Sequence, residues 1–226
     1  MSKKYKLVNK QPNGLYQIEA LRDIPLHGVK KGDSGGYVKS ESNLSHEGDA
    51  WVYGDARVSG HAEVSGNAWV FGHAEVFGDA RVYGGAWVSG NAWVYGNARV
   101  SGDARVYGNA QVFGHAQVYG NAWVYGDARV SGNAYVSGDA RVYGDAEVSG
   151  HAEVTKPYGC IVIPHKHSIT LTTHVQIGSQ QYTFEEFYGT CVEQALAEDY
   201  TEHEYQELRD ILIPLMIRME RISNDI

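Results

Sequence analysis

Gly48-Asp49-Ala50-Trp51-Val52-Tyr53 opens a stretch in which one six-residue pattern, Gly-[Asp/Asn/His/Gly]-Ala-Xaa-Val-[Tyr/Ser/Phe/Thr], recurs eighteen times without interruption, closing on Gly150-His151-Ala152-Glu153-Val154-Thr155. Position three is always Ala, from Ala50 to Ala152, and position five always Val, from Val52 to Val154. Two invariant apolar residues around one variable residue have the period of a short strand with one buried face. Glycine before a small polar residue supplies a positive-φ turn at the strand end. Eighteen of the 27 glycines occupy the first position, and Gly85 is one more. With 5 prolines and 12% aromatic residues, glycine so placed marks corners and argues against collagen and disorder.

A strand-turn unit of this length resembles the hexapeptide of left-handed parallel β-helices, in which three units make one triangular coil of 18 residues. The small-Xaa-aliphatic motif of that class is met by every Ala-Xaa-Val here. The residue after the aliphatic departs from the class pattern, being Tyr, Phe or Ser rather than small or acidic. The resemblance implies a mainly β fold with residues 18 apart stacked on one face. On that spacing the first face reads Trp51, Trp69, Trp87, Arg105, Trp123, Arg141, flanked by Tyr53, Phe71, Ser89, Tyr107, Tyr125 and Tyr143. The second reads Arg57, Glu75, Trp93, Gln111, Arg129, Glu147 and the third Glu63, Arg81, Arg99, Gln117, Tyr135, Glu153, both of mixed charge as cross-strand pairing favours. Six turns about 4.8 Å apart would enclose only Ala and Val, a filled core with no room for a ligand.

A solenoid exposes strand edges at its ends and needs caps. Residues 1–47 read as an N-terminal β cap: apolar runs at Tyr5–Val8 and Leu15–Leu21, then an irregular opening coil in which Val38 and Leu44 keep the six-residue spacing to Ala50. With eight basic and five acidic residues it is the only basic part of the chain, and Lys3, Lys4 and Lys6 read as a solvated face. Residues 156–226 read as a small α+β domain with five basic and eleven acidic residues. Cys160–Ile163, Ile169–Thr173 and Val175–Phe184 have strand character, with a hairpin turn near Thr173-His174 or Gly178-Ser179. Thr183-Phe184-Glu185-Glu186 and Thr201-Glu202-His203-Glu204 are capping boxes that should each open a helix. The second helix carries an apolar stripe, bent at Pro214, in which Ile211, Leu212, Leu215 and Met219 are candidate contacts for a homo-oligomer.

Cys160 and Cys191 make no disulfide framework, so a reducing compartment is expected. The N-terminus lacks an apolar segment and no apolar run is long enough for a membrane span, so the expectation is a cytoplasmic protein. A net charge of -8 disfavours generic phosphate-directed nucleic-acid binding. Within the repeat His61, His73, His115 and His151 all replace the corner Asp or Asn, which reads as a structural role. Three of them share a column but lie two or three turns apart, too far to converge on one zinc ion. His165-Lys166-His167 reads as exposed strand, and no glycine spacing matches a phosphate-binding loop. No catalytic residue, cofactor or metal is therefore expected.

The ends narrow the resemblance. Gly32-Asp33-Ser34-Gly35-Gly36-Tyr37-Val38 with Asn43-Leu44-Ser45-His46-Glu47-Gly48 looks like the opening segment of phage and prophage hexapeptide-repeat proteins and of YdcK-type putative transferases. Ile169-Thr170-Leu171-Thr172-Thr173-His174-Val175-Gln176-Ile177-Gly178, followed by Tyr182-Thr183-Phe184, is similar to the tail of the phage group. "Transferase" in that group is an inference from fold. Enzymes of the class, acyltransferases and γ-type carbonic anhydrases, place their sites between subunits with a catalytic His, a protruding loop or three zinc-binding His, and the uninterrupted repeat offers no such loop. Three function classes follow. The first is a non-enzymatic, phage-encoded binding protein that occupies a host protein through the Trp/Tyr/Arg face, for example inhibiting a CRISPR-type defence nuclease with a basic nucleic-acid channel. Corner carboxylates at Asp49, Asp103, Asp139, Asp55, Asp127 and Asp145 would suit such a channel. The others are an acyltransferase-like enzyme with an inter-subunit site and a structural oligomer or virion component.

Overall fold

Every hexad glycine holds a φ between 59° and 76°, a region that side-chain-bearing residues rarely adopt. The chain turns at each one and runs extended through the following Xaa-Val pair. The computed structural model describes residues 3–155 and, for the backbone alone, residues 169–171, 175–177 and 180–182. Within it the N-terminal strands β1 (Tyr5–Lys10), β2 (Tyr16–Ala20) and β3 (Ser34–Val38) precede eighteen two-residue strands, β4 (Trp51–Val52) through β21 (Glu153–Val154).

Parallel pairing joins residues 18 apart. Trp69 lies opposite Trp51 and Trp87, Glu75 opposite Arg57 and Trp93, and Arg81 opposite Glu63 and Arg99. Three parallel sheets result, two of six strands and a third that the N-terminal strands extend to nine. The three outward ladders are those the spacing assigns. Inside, every Ala and Val of the repeat is buried, the most exposed being Ala146 at 4%. Corner side chains stack as well: Asn91 donates to Asn109 (3.1 Å), Asn109 to Asp127 (2.9 Å) and Asn121 to Asp139 (3.0 Å).

The direction of the backbone bonds decides what the first turn needs. Through the first five turns the N–H groups of Xaa and of position six, and of every corner residue but Asp55, point to the next turn, as from Asp49 to Gly66 (2.8 Å), Trp51 to Ala68 (2.9 Å) and Tyr53 to Val70 (2.9 Å). The first turn therefore directs its own Gly, Ala and Val carbonyls away from the rod, where each buried oxygen requires a donor. Residues before Gly48 provide donors for seven of these nine. Strand β3 runs parallel to β5 (Arg57–Val58), with Val38 opposite Val58, and the N–H groups of Tyr37 and Lys39 donate to Ala56 (2.9 Å) and Val58 (3.0 Å). Leu44 bridges Val64 in parallel, so the irregular opening coil keeps the expected six-residue step. Gly36 allows the close passage: a Cβ there would lie 2.7 Å from the Ala56 carbonyl oxygen. Strands β1 and β2 complete an antiparallel meander onto β3.

Side chains serve four more of these carbonyls. Asn43 Nδ2 donates to Ala62 (2.8 Å) and Gly60 (3.1 Å), Arg22 donates to Gly48 (2.9 Å), and Lys4 Nζ donates to Ala50 (2.7 Å). Lys4 is fully buried, which corrects its reading as part of a solvated lysine face. Only Lys3 and Lys6 follow that reading, each paired with a carboxylate, Glu41 at 2.6 Å and Glu19 at 2.7 Å. Burial, reinforced by the charge of Arg22, lowers the Lys4 pKa from 10.5 to about 8. Between those values the unfolded chain holds a proton that the folded chain has released, so stability rises with pH from about 8 toward 10.5. Thermal melts of wild type and Lys4→Met at pH 7.5 and 9.5 should show the wild type gaining relative to the variant; a constant difference would disprove burial of the ammonium.

Residues Tyr158–Ile226 form a second compact unit. In it β22 (Ile169–Leu171), β23 (Val175–Ile177) and β24 (Gln180–Tyr182) pair antiparallel in sequence order. Val175–Phe184 is thus not one strand, because Gly178-Ser179 separates two that pair with each other. Both suggested turn positions lie between paired strands. Cys160–Ile163 and the two expected helices, with Ile211, Leu212, Leu215 and Met219, lie outside the described residues. Among the described residues no helix is long and apolar enough to cross a membrane.

Candidate functional site

The aromatic column of the first face does not present itself evenly. Trp51 is fully buried, with Tyr5 edge-on at 6.4 Å and His46 stacked on Tyr5 at 4.4 Å. This removes Trp51 from the exposed face, because the N-terminal segment crosses the first turn. Trp69 is half-buried, and His27, from the 3-10 turn Pro25–His27, stacks on it at 5.0 Å. That burial lowers the His27 pKa. Phe71 leans on Trp69 at 4.4 Å, and Trp87 meets Trp69 edge-on at 5.6 Å.

Beyond Trp87 the face is open and self-stacked. The Arg105 guanidinium lies between the rings of Trp87 (4.8 Å) and Trp123 (5.0 Å), and Arg141 covers Trp123 from the following turn at 5.2 Å. Parallel stacking at the strand repeat brings cation and ring together without side-chain rearrangement. Alongside, Tyr107 and Tyr125 stack at 5.0 Å with planes 1° apart, and Tyr143 continues the column at 5.4 Å and 16°. Burial against this stack raises the Tyr107 pKa, and Tyr125 adds to it. Ser89 separates this column from Phe71, and Tyr53 stands apart, 51% exposed. Trp87, at 37% exposure, Arg105, Arg141 and Tyr143 are the exposed members, with Trp123, Tyr107 and Tyr125 half-buried among them.

A second aromatic column escaped the sequence reading. On the second face Phe77, Tyr95 and Phe113 stack at 4.9 and 5.0 Å with planes 4° apart, and Trp93 beside them is 43% exposed. The signal was present in position six of the hexad, where aromatics recur at 18-residue spacing there too. The corner histidines sit where expected: His61 pairs with Asp79 at 3.1 Å and His151 with Asn133 at 3.3 Å. Among the described residues no three His, Cys, Asp or Glu side chains are grouped to hold a metal ion. An open groove of about 580 Å³ lies where Leu15 and Lys39 face Arg57, Ser59 and Glu75. It is formed where the N-terminal segment lies beside the rod, and the Arg57–Glu75 ion pair (3.2 Å) lies in its lining.

The fold defines the class: a parallel β-solenoid with 18-residue turns. Residues 74–90, 92–108, 98–114, 116–132, 123–138 and 128–144 match the family model described as YdcK beta solenoid repeat, so this part of the rod is similar to that repeat. No curated protein matches the chain.

Proposed function

We propose that this protein is a non-enzymatic binding scaffold whose first face, from Trp87 to Arg141, takes a partner protein. The observation that carries this is the interleaved Trp87, Arg105, Trp123, Arg141 column beside the Tyr107, Tyr125, Tyr143 stack. Trp, Tyr and Arg dominate protein-protein hot spots. Held in place by their own stacking, they lose little conformational freedom when a partner arrives. In this reading the coils are left-handed, as in the hexapeptide class, and residues 1–47 act as the N-terminal cap. The partner is a host protein, of which a defence nuclease with a basic channel is the specific candidate, supported by the net charge of -8 and the corner carboxylates. The phage-like end segments support a phage protein acting in a bacterial cytoplasm, and the Ile211, Leu212, Leu215, Met219 stripe supports self-association.

The test is affinity capture from bacterial lysate with wild type, with Trp87→Ala/Arg105→Ala/Trp123→Ala, and with Trp93→Ala as a control on another face. Wild type and control should retain one partner that the triple variant loses by roughly 100-fold, as two or more hot spots would give. Equal retention by all three removes the first face from the proposal. Turnover of acyl-CoA without a retained partner would replace it with the enzymatic reading.

A further inference from the structure

Three of the six arginines on the rod are paired or stacked. Arg57 bonds Glu75 at 3.2 Å, and Arg105 and Arg141 lie on tryptophan rings, whereas Arg129 has the carboxylate residue Glu147 opposite it in register. On the third face Arg81 and Arg99 are directly opposite each other in the parallel ladder. Both are exposed, and neither is among the ion pairs or ring contacts of the described residues. Like charges directly opposite across a ladder destabilise it, and these are separated by only about one strand spacing, roughly 4.8 Å. Glu63 is in register with Arg81 on the other side yet forms no ion pair with it, and the nearby Asp79 is engaged by His61. Gln117, next to Arg99 in the ladder, is neutral and bonded to Tyr135 at 3.2 Å.

We propose that Arg81 and Arg99 form a binding site for one oxyanion. A guanidinium fork is matched to the geometry of a carboxylate or phosphate, and two exposed forks in register one turn apart can close on a single such group. Tyr83, 39% exposed, and Ser101 occupy the flanking positions of the same two turns and can donate to its remaining oxygens. The site is separate from the first face and does not depend on its role.

A stability signature distinguishes a ligand site from ordinary surface charge. The full chain is melted at constant ionic strength in chloride, in inorganic phosphate and in citrate, alongside Arg81→Gln/Arg99→Gln, Arg129→Gln and Glu63→Gln. At about five times its dissociation constant the anion should raise the wild-type Tm by about 2 to 4 °C over chloride. That increment should vanish in the double variant, persist in Arg129→Gln and grow in Glu63→Gln. In chloride the double variant should melt no lower than wild type, since it removes a repulsion. A response to phosphate alone assigns the site to phosphoryl groups, and one to citrate alone assigns it to carboxylates. An equal increment in wild type and double variant, or a double variant that melts well below wild type in chloride, overturns the proposal.

Discussion

Gly102→Ala should lower the unfolding free energy by about 2 to 4 kcal/mol, measured by denaturant titration. Two costs add. Gly102 has φ +67°, a conformation that disfavours an L side chain by roughly 1–2 kcal/mol. A Cβ at that position would also lie 2.9 Å from the Gly120 nitrogen and 3.0 Å from its oxygen, and neither backbone atom can move without shifting the next corner. Gly54 separates the two costs. It has the same φ of +67°, but its Cβ would meet Gly72 at 3.4 Å, an ordinary contact. Gly54→Ala should therefore cost only about 1–2 kcal/mol. Equal losses at the two positions would show that corner stacking contributes nothing beyond backbone conformation.

Asn43→Ala should cost about as much, near 2 to 4 kcal/mol, from one exposed-looking residue before the repeat begins. The Asn43 side chain is fully buried. Its amide nitrogen donates to Ala62 and Gly60, and its oxygen accepts from the Ser40 backbone N–H at 2.9 Å. Alanine would leave these buried groups without partners, at roughly 1–3 kcal/mol each before relaxation. Asn43→Asp discriminates: the shape and the bond from Ser40 survive, but a carboxylate would face two carbonyl oxygens. It should be at least as unstable as the alanine variant. If Asn43→Asp melts like wild type, the donor role is wrong.

The repeat was legible because its period is strict. Ala50 to Ala152 and Val52 to Val154 announce a buried face, and the 18-residue spacing sorts every outward residue into its column. The ends are another matter, because they answer to geometry rather than to periodicity. Lys4 looks like its neighbours Lys3 and Lys6 in sequence, yet it alone reaches the Ala50 carbonyl. Nothing local distinguishes it; the requirement for a donor exists only once the first turn has formed with its carbonyls outward. Trp51 illustrates the converse. It belongs to the same column as Trp87, and its burial follows from the segment folded over it. The second aromatic column, Phe77, Tyr95 and Phe113, was legible in principle, since it obeys the same spacing in position six.

The rod keeps two separate counts of its own length. Ala and Val are the same in every hexad, so the interior is indifferent to how many hexads the chain contains. The outer columns repeat only every third hexad. Removing residues 108–113 would leave the core sequence in phase while rotating everything after it by one face: Arg129 would then follow Arg105, and Trp123 would move to the column of Arg81 and Arg99. Insertions and deletions of 18 residues lengthen or shorten the surface without scrambling it, whereas those of six preserve the core and erase the pattern outside.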